Sequence, residues 1–175
     1  MNEKILDIAG HPATWDQRRL LRDCQITRTR RSGPGGQHRN KVETAVVILH
    51  VPTNIRAEAN ETRSQADNQQ QAVHRLRVNL ALAVRVVLPP DCPASDLWRS
   101  RVHAGKITVS PRHADFPALL AEALDHVSWA EFDLTAAAKR LAISPSQLIK
   151  FLQVESRAMA QVNVARQTAG LRAMR

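Results

Sequence analysis

Residues 32–41 bring glycines, amides and a histidine together in one run, Ser-Gly-Pro-Gly-Gly-Gln-His-Arg-Asn-Lys. Three of the six glycines of the chain lie in this run, at Gly33, Gly35 and Gly36. Glycine reaches positive φ without steric cost and leaves the backbone bare enough to touch a ligand. The run therefore predicts a flexible polar tip that can approach another molecule with its main chain.

Cations flank this tip: Arg30, Arg31, Arg39 and Lys41. Residues 18–41 hold eight Lys/Arg side chains against one acid, Asp23, and the whole chain has a formal net charge of +9. Concentrated positive charge favours binding to a polyanion, although a solvated basic face has the same composition. We expect phosphate contacts around the tip.

The neighbouring elements predict how the tip is held. A helix over residues 12–23, with Thr14 as its N-cap, precedes a β-permissive stretch at Cys24–Thr29. β-branched and apolar residues over 44–49 indicate the strongest strand, and residues 55–60 alternate as its partner after a short turn. Two adjacent strands with so short a connection predict an antiparallel hairpin.

A long amphipathic helix is predicted next, beginning at the capping-box spacing of Ser64 and Asp67 and ending before Pro89-Pro90. Its apolar positions recur at helical spacing: Ala72, Val73, Leu76, Leu80, Ala83, Val84 and Val87. We interpret that stripe as the face packed on the sheet. The predicted fold class is α+β, a small antiparallel sheet with the glycine-rich loop packed on one long helix.

The C-terminal half is predicted to be helical. Its predicted helices cover residues 117–127, 134–141, 145–155 and a weaker basic stretch towards Arg166. Ser144-Pro145-Ser146-Gln147 is a typical helix start, so residues 134–152 resemble a helix-turn-helix. We divide the chain into a loop-bearing domain with its N-terminal helix (1–90), a linker with a short strand at Lys106–Ser110 (91–114), and a helical region (115–175).

Composition argues against several other classes of protein. Two cysteines, Cys24 and Cys92, make neither a disulfide framework nor a metal set, and they indicate a reduced, cytoplasmic compartment. The most apolar stretch, Leu80–Leu88, is short and contains Arg85, so no membrane span is expected. No Ser-His-Asp or metal constellation is evident, and we expect neither a metal nor another cofactor. No coiled-coil seam is evident either, and a monomer is expected.

The Gly-Gly-Gln tripeptide and its flanks resemble the GGQ loop of the class I peptide chain release factors and the related stalled-ribosome rescue hydrolases. Residues 41–52 resemble the strand that follows the loop in that family. Thr62-Arg63-Ser64-Gln65 resembles its Arg-Ser-Gln element before a long helix. The resemblance covers about residues 22–88 and implies the catalytic domain of that family.

The resemblance also implies ester chemistry in the peptidyl-transferase centre of the large ribosomal subunit. Gly35, Gly36 and Gln37 would enter that centre, where water attacks the ester that joins a peptide to tRNA. The backbone N–H of Gln37 would donate to the developing negative charge, and one such donor is worth roughly 3 kcal/mol. The glutamine of this family is commonly methylated, so methylation of Gln37 by a dedicated glutamine methyltransferase is a further expectation.

Contacts to rRNA and to peptidyl-tRNA are implied for the residues around the tripeptide: Arg30, Arg31, His38, Arg39, Asn40, Lys41 and Arg63. Arg39 departs from the family, which usually has Val at that position. His38 has an unperturbed pKa near 6.5 and could serve as a general base. We interpret it instead as a structural or RNA-contacting residue.

Three functions fit the sequence. Standard release factors carry a separate codon-reading domain, whereas about 22 residues precede the hairpin here, so we expect codon-independent hydrolysis of peptidyl-tRNA on stalled ribosomes or detached large subunits. Residues 115–175 would then dock on rRNA or tRNA. A second interpretation is a DNA-binding regulator that uses residues 134–152. A third is a ribosome- and RNA-binding factor that does not hydrolyse.

Overall fold

The computed structural model describes residues 4–5, 10–29 and 44–174. The chain forms two compact units, one of residues 12–80 and one of residues 1–11 with 81–175. The helices are α1 (Gln17–Arg22), α2 (Gln65–Ala83), α3 (Asp96–Arg101), α4 (Phe116–Trp129), α5 (Leu134–Arg140), α6 (Pro145–Gln153) and α7 (Ser156–Thr168). The strands are β1 (Lys4–Ile5), β2 (Cys24–Thr29), β3 (Ala45–His50), β4 (Ile55–Ala59), β5 (Val84–Arg85), β6 (Val102–His103) and β7 (Lys106–Ile107). The α+β prediction is confirmed.

A three-stranded antiparallel sheet in the order β2–β3–β4 organises the first unit. Apolar residues of β3 and β4 alternate into the core, where Val46, Ile48, Ala57 and Ala59 are buried. The predicted hairpin is confirmed, with Val46 opposite Ala59 and His50 opposite Ile55. Its turn contains Asn54 at φ 55°, a left-handed conformation that asparagine tolerates better than most residues.

Helix α1 is shorter than the predicted helix over residues 12–23. Pro12–Thr14 form a separate 3₁₀ turn, and Asp16, not Thr14, is the N-cap. The Asp16 carboxylate accepts a hydrogen bond from the backbone N–H of Arg19 at 2.9 Å, which satisfies one of the free amides of the first turn. The prediction of the cap at Thr14 was therefore wrong.

Helix α2 begins where the capping-box spacing predicted, since Ser64 Oγ accepts from the N–H of Asp67 at 3.2 Å. Ala72, Leu76 and Leu80 are fully buried. On its polar side, Arg75 and Asn79 donate to two main-chain carbonyls of β4: those of Glu58 and Arg56, at 2.7 and 3.0 Å. Side chains of the helix thus occupy two carbonyls of β4, the last strand of the sheet, and occupied carbonyls are less available for pairing with another chain.

The predicted stripe of α2 extends too far at its C-terminal end. Val84 lies in β5, paired in parallel with β1, and Val87 is 73% exposed. The buried Arg85 side chain ends the helix because its guanidinium donates to the carbonyls of Ala81 at 2.7 Å and Leu82 at 3.0 Å. Carbonyls of the last turn have no partner within a helix, and a cation bound to them stabilises the terminus.

The second unit contains the four predicted C-terminal helices, α4 to α7, and one helix that was not predicted. Helix α3 lies within the segment interpreted as a linker. Ser95 caps it by accepting from the N–H of Trp98 at 3.0 Å, and the buried Trp98 indole donates to the carbonyl of Leu141 at 2.9 Å. A six-residue helix gives little periodic signal, so neither α3 nor its anchoring by Trp98 could be predicted from the pattern. No helix among residues 10–29 and 44–174 is long and apolar enough to cross a lipid bilayer.

One arginine of α5 holds the segment that follows β5. The Arg140 guanidinium donates to the carbonyls of Pro89, Pro90 and Cys92 at 3.2, 2.8 and 2.7 Å. It also lies over the Trp129 ring at 3.6 Å from the centroid. A planar guanidinium can make these contacts together, whereas a lysine ammonium cannot.

We expect Arg140→Ala to lower the free energy of unfolding by about 1–3 kcal/mol, since the charged hydrogen bonds and the ring contact are lost together. Lys139→Ala is the matched control, because Lys139 is the exposed neighbour on the same helix; its effect should stay within about 0.5 kcal/mol. Urea unfolding of the full chain measures both. Equal effects of the two substitutions would contradict the assigned role of Arg140.

Candidate functional site

The glycine-rich tip lies outside the residues that the structure describes. This applies to the proposed catalytic residues Gly35, Gly36 and Gln37. It also applies to most of the expected RNA contacts: Arg30, Arg31, His38, Arg39, Asn40 and Lys41. Arg63 is the remaining predicted site residue and is described. The site is therefore built from the residues that hold the two ends of the segment.

Both ends of the segment are fixed at one end of the sheet. Thr29 closes β2 and Ala45 opens β3, and these two residues face each other in the antiparallel register. The ladder continues from this pair to Cys24 opposite His50. Paired strands in a sheet lie about 4.8 Å apart. The chain therefore leaves and re-enters the sheet at adjacent positions.

A buried amide lies beside the return of the chain into β3. Asn68, in the first turns of α2, is fully buried, and its Nδ2 donates to the carbonyl of Thr44 at 2.7 Å. Its Nδ2 also donates to the carbonyl of Thr62 at 2.9 Å. The residue was not singled out from the sequence. The signal available was an asparagine inside an otherwise good helix, three residues after the Arg-Ser-Gln element, where its propensity is unfavourable.

Arg63 lies in the turn between β4 and α2. The flanking residues Thr62 and Ser64 are tied together, since the hydroxyl oxygen of Thr62 accepts from the backbone N–H of Ser64 at 3.2 Å. The Arg63 side chain is exposed and makes no ion pair with any residue that the structure describes. A rigid turn thus presents a solvated cation close in sequence to the Asn68 amide.

Three further arginines, Arg18 and Arg22 on α1 and Arg28 on β2, are also exposed. Arg19 lies over the Trp15 ring at 4.1 Å from the centroid, and this cation–π contact fixes its guanidinium group. The sequence indicated the charge concentration, but it did not separate these exposed arginines from those that pair within the fold. Helix α1 contacts β2, the strand that leads to the tip.

One buried histidine, His50, lies at the other end of the sheet. His50 ends β3, is 1% exposed, and its Nδ1 lies 2.8 Å from the Thr53 hydroxyl. Burial lowers the pKa of His50, so the ring is neutral at pH 7. His50 and Ala45 are at opposite ends of one strand, so this histidine lies at the end of β3 away from Thr44. It is a core residue that packs against Trp15.

No group of three His, Cys, Asp or Glu side chains within residues 10–29 and 44–174 has the arrangement of a metal site. In the described part of the first unit, strand pairing and the Asn68 amide hold the main chain, and several guanidinium groups are exposed. Such groups bind phosphates well because they remain charged and donate in a planar fork.

Helices α5 and α6, which the sequence predicted as two helices with a tight turn between them, contact each other and α4. Ala142, in the turn, has φ 54°, and Ser144 caps α6 by accepting from the N–H of Gln147 at 3.3 Å. Leu148, Phe151 and Leu152 are buried, which leaves a mostly polar outer face on α6. Its exposed polar side chains are Ser146, Lys150 and Gln153. Only one of them carries positive charge.

Comparison with known proteins gives a consistent family. The RF-1 domain family matches residues 20–88, which include α1 in part, the whole sheet and α2. Peptide chain release factor 1 of Xylella fastidiosa is 40% identical over 78 residues, covering 45% of this chain and 19% of the relative. Peptide chain release factor 1 of Chloroherpeton thalassium is 39% identical over 95 residues, covering 54% of this chain and 26% of the relative. Peptide chain release factor 2 of Yersinia enterocolitica is 48% identical over 58 residues, covering 33% of this chain and 16% of the relative.

These matches are confined to one part of each relative, at most 26% of its length. They agree with the fold, since the matched residues hold the sheet, the long helix and the sequence of the glycine-rich tip. Residues 20–88 of this chain therefore belong to the catalytic-domain family of the class I peptide chain release factors.

Proposed function

We propose that this protein releases the nascent peptide by ribosome-dependent hydrolysis of the peptidyl-tRNA ester. The observation that carries the proposal is the RF-1 match over residues 20–88, because that match spans Gly35-Gly36-Gln37. The two strand ends that bracket the tripeptide are paired, which supports presentation of the intervening segment from a rigid base.

The proposed chemistry needs little from protein side chains. The ribosome holds the ester and the water, and the tip supplies a main-chain donor at Gln37 to the oxygen on which negative charge develops. Gly35 and Gly36 leave room for this approach, since a Cβ there would obstruct it and would cost about 1–2 kcal/mol wherever φ is positive. The side chain of Gln37 shapes the pocket for water, and we propose that a glutamine methyltransferase methylates it.

The proposed partners are rRNA of the large subunit and peptidyl-tRNA. The exposed guanidinium groups of Arg18, Arg22, Arg28 and Arg63 support this assignment, together with the cations in the sequence of the tip. Arg39 would contribute one more phosphate contact beside Gln37. We propose that the protein acts as a monomer in the cytoplasm, without a metal or other cofactor, and that residues 115–175 dock on RNA.

The finer form of the proposal is release that does not depend on a stop codon. Residues 89–174, which follow the RF-1 match, belong to a helical unit with its own buried core, and we propose that this unit provides a different surface for ribosome binding. Such a factor would act on ribosomes stalled on truncated messages, or on large subunits that still carry peptidyl-tRNA.

Peptide release should depend on the main-chain amide at position 37. We expect Gln37→Pro, which removes that N–H, to slow release from peptidyl-tRNA-loaded ribosomes by about 10²–10³-fold. Gln37→Ala retains the N–H and should slow release less, and Gly35→Ala with Gly36→Ala should approach the loss seen with Gln37→Pro.

Cosedimentation of each variant with ribosomes is the control and should not change. Undiminished release by the double glycine variant would remove the mechanism, whereas ribosome binding without release by the natural chain would favour the non-hydrolytic interpretation.

The dependence of release on the codon is measured with the same peptidyl-tRNA in three ribosomal complexes. The decoding site holds a stop codon in the first complex, a sense codon in the second and no message in the third. Free large subunits loaded with the same peptidyl-tRNA form a fourth sample. We expect similar rates in the first three, because the proposed contacts lie on the large subunit. Release that requires the stop codon would contradict the codon-independent form while leaving ester hydrolysis intact.

The helix-turn-helix arrangement favours one alternative function, a DNA-binding regulator. Helix α6 offers Ser146, Gln147, Lys150 and Gln153 to a major groove. One lysine on this helix gives weak attraction to phosphate, because non-specific binding grows with the number of cations that contact the backbone. The alternative therefore ranks second.

A mobility-shift assay with duplex DNA of random sequence tests this alternative. We expect binding without sequence preference that disappears at moderate salt, and Lys150→Glu should not change it by more than about threefold, since one phosphate contact contributes little. Lys139→Glu on α5 is the matched control for the change of charge. Selection of a defined duplex sequence, lost specifically with Lys150→Glu, would establish the regulator instead.

A further inference from the structure

Asn68 uses its whole hydrogen-bonding capacity inside the first unit. Its Nδ2 donates to the carbonyls of Thr44 at 2.7 Å and Thr62 at 2.9 Å. Its Oδ1 accepts from the backbone N–H of Thr62 at 3.0 Å and from the Thr62 hydroxyl at 3.1 Å. An asparagine amide has two donor hydrogens and one oxygen with two lone pairs, so every position is occupied.

These four bonds join three elements of the chain. Asn68 belongs to α2, Thr62 belongs to the turn after β4, and Thr44 directly precedes β3. The register of β2 with β3 ends at Ala45, one residue after Thr44. The Thr44 carbonyl is thus held by a side chain at the point where the ladder stops.

Thr44 is also where the chain returns from the segment that contains Gly35, Gly36 and Gln37. The other end of that segment, Thr29, is held in the ladder opposite Ala45. We propose that Asn68 is a positioning residue for peptide release, because it fixes the returning end of this segment on α2. This inference rests on the proposed function. Asn68 does not touch the reacting groups and acts through the Thr44 main chain.

The positioning requirement follows from the chemistry. A main-chain donor must reach a developing charge within hydrogen-bond distance, and a displacement of about 1 Å can slow such a reaction about 100-fold. Only an uncharged amide both donates to two carbonyls and accepts from Thr62. An aspartate keeps the acceptor oxygens but offers no N–H to Thr44, and an alanine removes both functions.

The experiment compares Asn68→Ala and Asn68→Asp with Thr53→Val. Thr53 is buried in the turn at the opposite end of β3, and its hydroxyl pairs with His50, so Thr53→Val removes a buried hydrogen bond from the same sheet. Urea unfolding first defines conditions in which each variant is folded. Peptide release is then measured at saturating protein, together with the protein concentration that gives half of the maximal rate.

We expect both Asn68 variants to slow release at saturation by about 10- to 100-fold, with a change of less than about threefold in the half-saturating concentration. Asn68→Asp should be no better than Asn68→Ala, because the donor to Thr44 is missing in both. Thr53→Val should release at close to the natural rate. A role in stability alone predicts instead that folded Asn68→Ala releases normally, and that result would overturn the inference.

Hydrogen exchange provides a readout that does not depend on activity. In the Asn68 variants we expect faster exchange of the backbone amides at residues 44–46, with unchanged exchange at residues 50–55, and the opposite pattern in Thr53→Val. If the natural chain shows this anchoring but releases no peptide from any ribosomal complex, the proposed function is wrong and the anchor has only a structural role. If exchange at 44–46 is unchanged in both Asn68 variants, the anchor itself is absent.

Discussion

The antiparallel pairing of β2 with β3 is the constraint on which the first unit depends. Two strands that are joined by a long connection form a hairpin only if the contacts along the ladder outweigh the entropy of closing that connection. Here the six residue pairs from Cys24–His50 to Thr29–Ala45 supply the ladder, and burial of Val46 and Ile48 supports it. A segment that is presented to a partner needs such a base, since motion of the base would be transmitted to the segment.

Arginine side chains serve two different purposes in this chain. Arg75, Arg85 and Arg140 donate to main-chain carbonyls and thereby close a sheet edge, a helix end and a connecting segment. Arg18, Arg22, Arg28 and Arg63 are exposed on the first unit. The net charge therefore overstates the number of cations available to bind phosphate, because some of the arginines are bound to carbonyls within the fold. Aromatic residues are scarce, and this use of guanidinium groups complements a core made mainly of Ala, Leu, Val and Ile.

Much of the fold could be predicted from periodicity and capping residues. The strands at 24–29, 44–49 and 55–60, the start of α2 at Ser64 and the helices after residue 115 were placed within a few residues. The failures have physical causes. Thr14 and Asp16 are both good N-cap residues, and only the hydrogen bond from the Arg19 N–H to the Asp16 carboxylate shows which of them caps α1. The end of α2 depends on Arg85, whose partners are main-chain carbonyls. The position of α3 depends on Trp98, whose partner is a distant main-chain carbonyl. The assignment of Gly35, Gly36 and Gln37 as site residues stays a prediction. The hydrogen bonds of Asn68 could not be predicted, because a sequence pattern does not show which carbonyls a buried amide reaches.

The left-handed backbone conformation at Ala142 limits which residues this position of the helical unit can accept. An alanine at φ 54° bears a strain of about 1–2 kcal/mol that glycine would not have, and the buried residues on either side hold it there. Glycine would relieve that strain, and asparagine would tolerate the conformation, but a β-branched residue would not fit. The neighbouring Leu141 carbonyl accepts the Trp98 indole N–H, so a change of backbone at this turn would reach α3 as well. Sequence drift at position 142 is thereby coupled to the packing of a helix more than forty residues earlier in the chain.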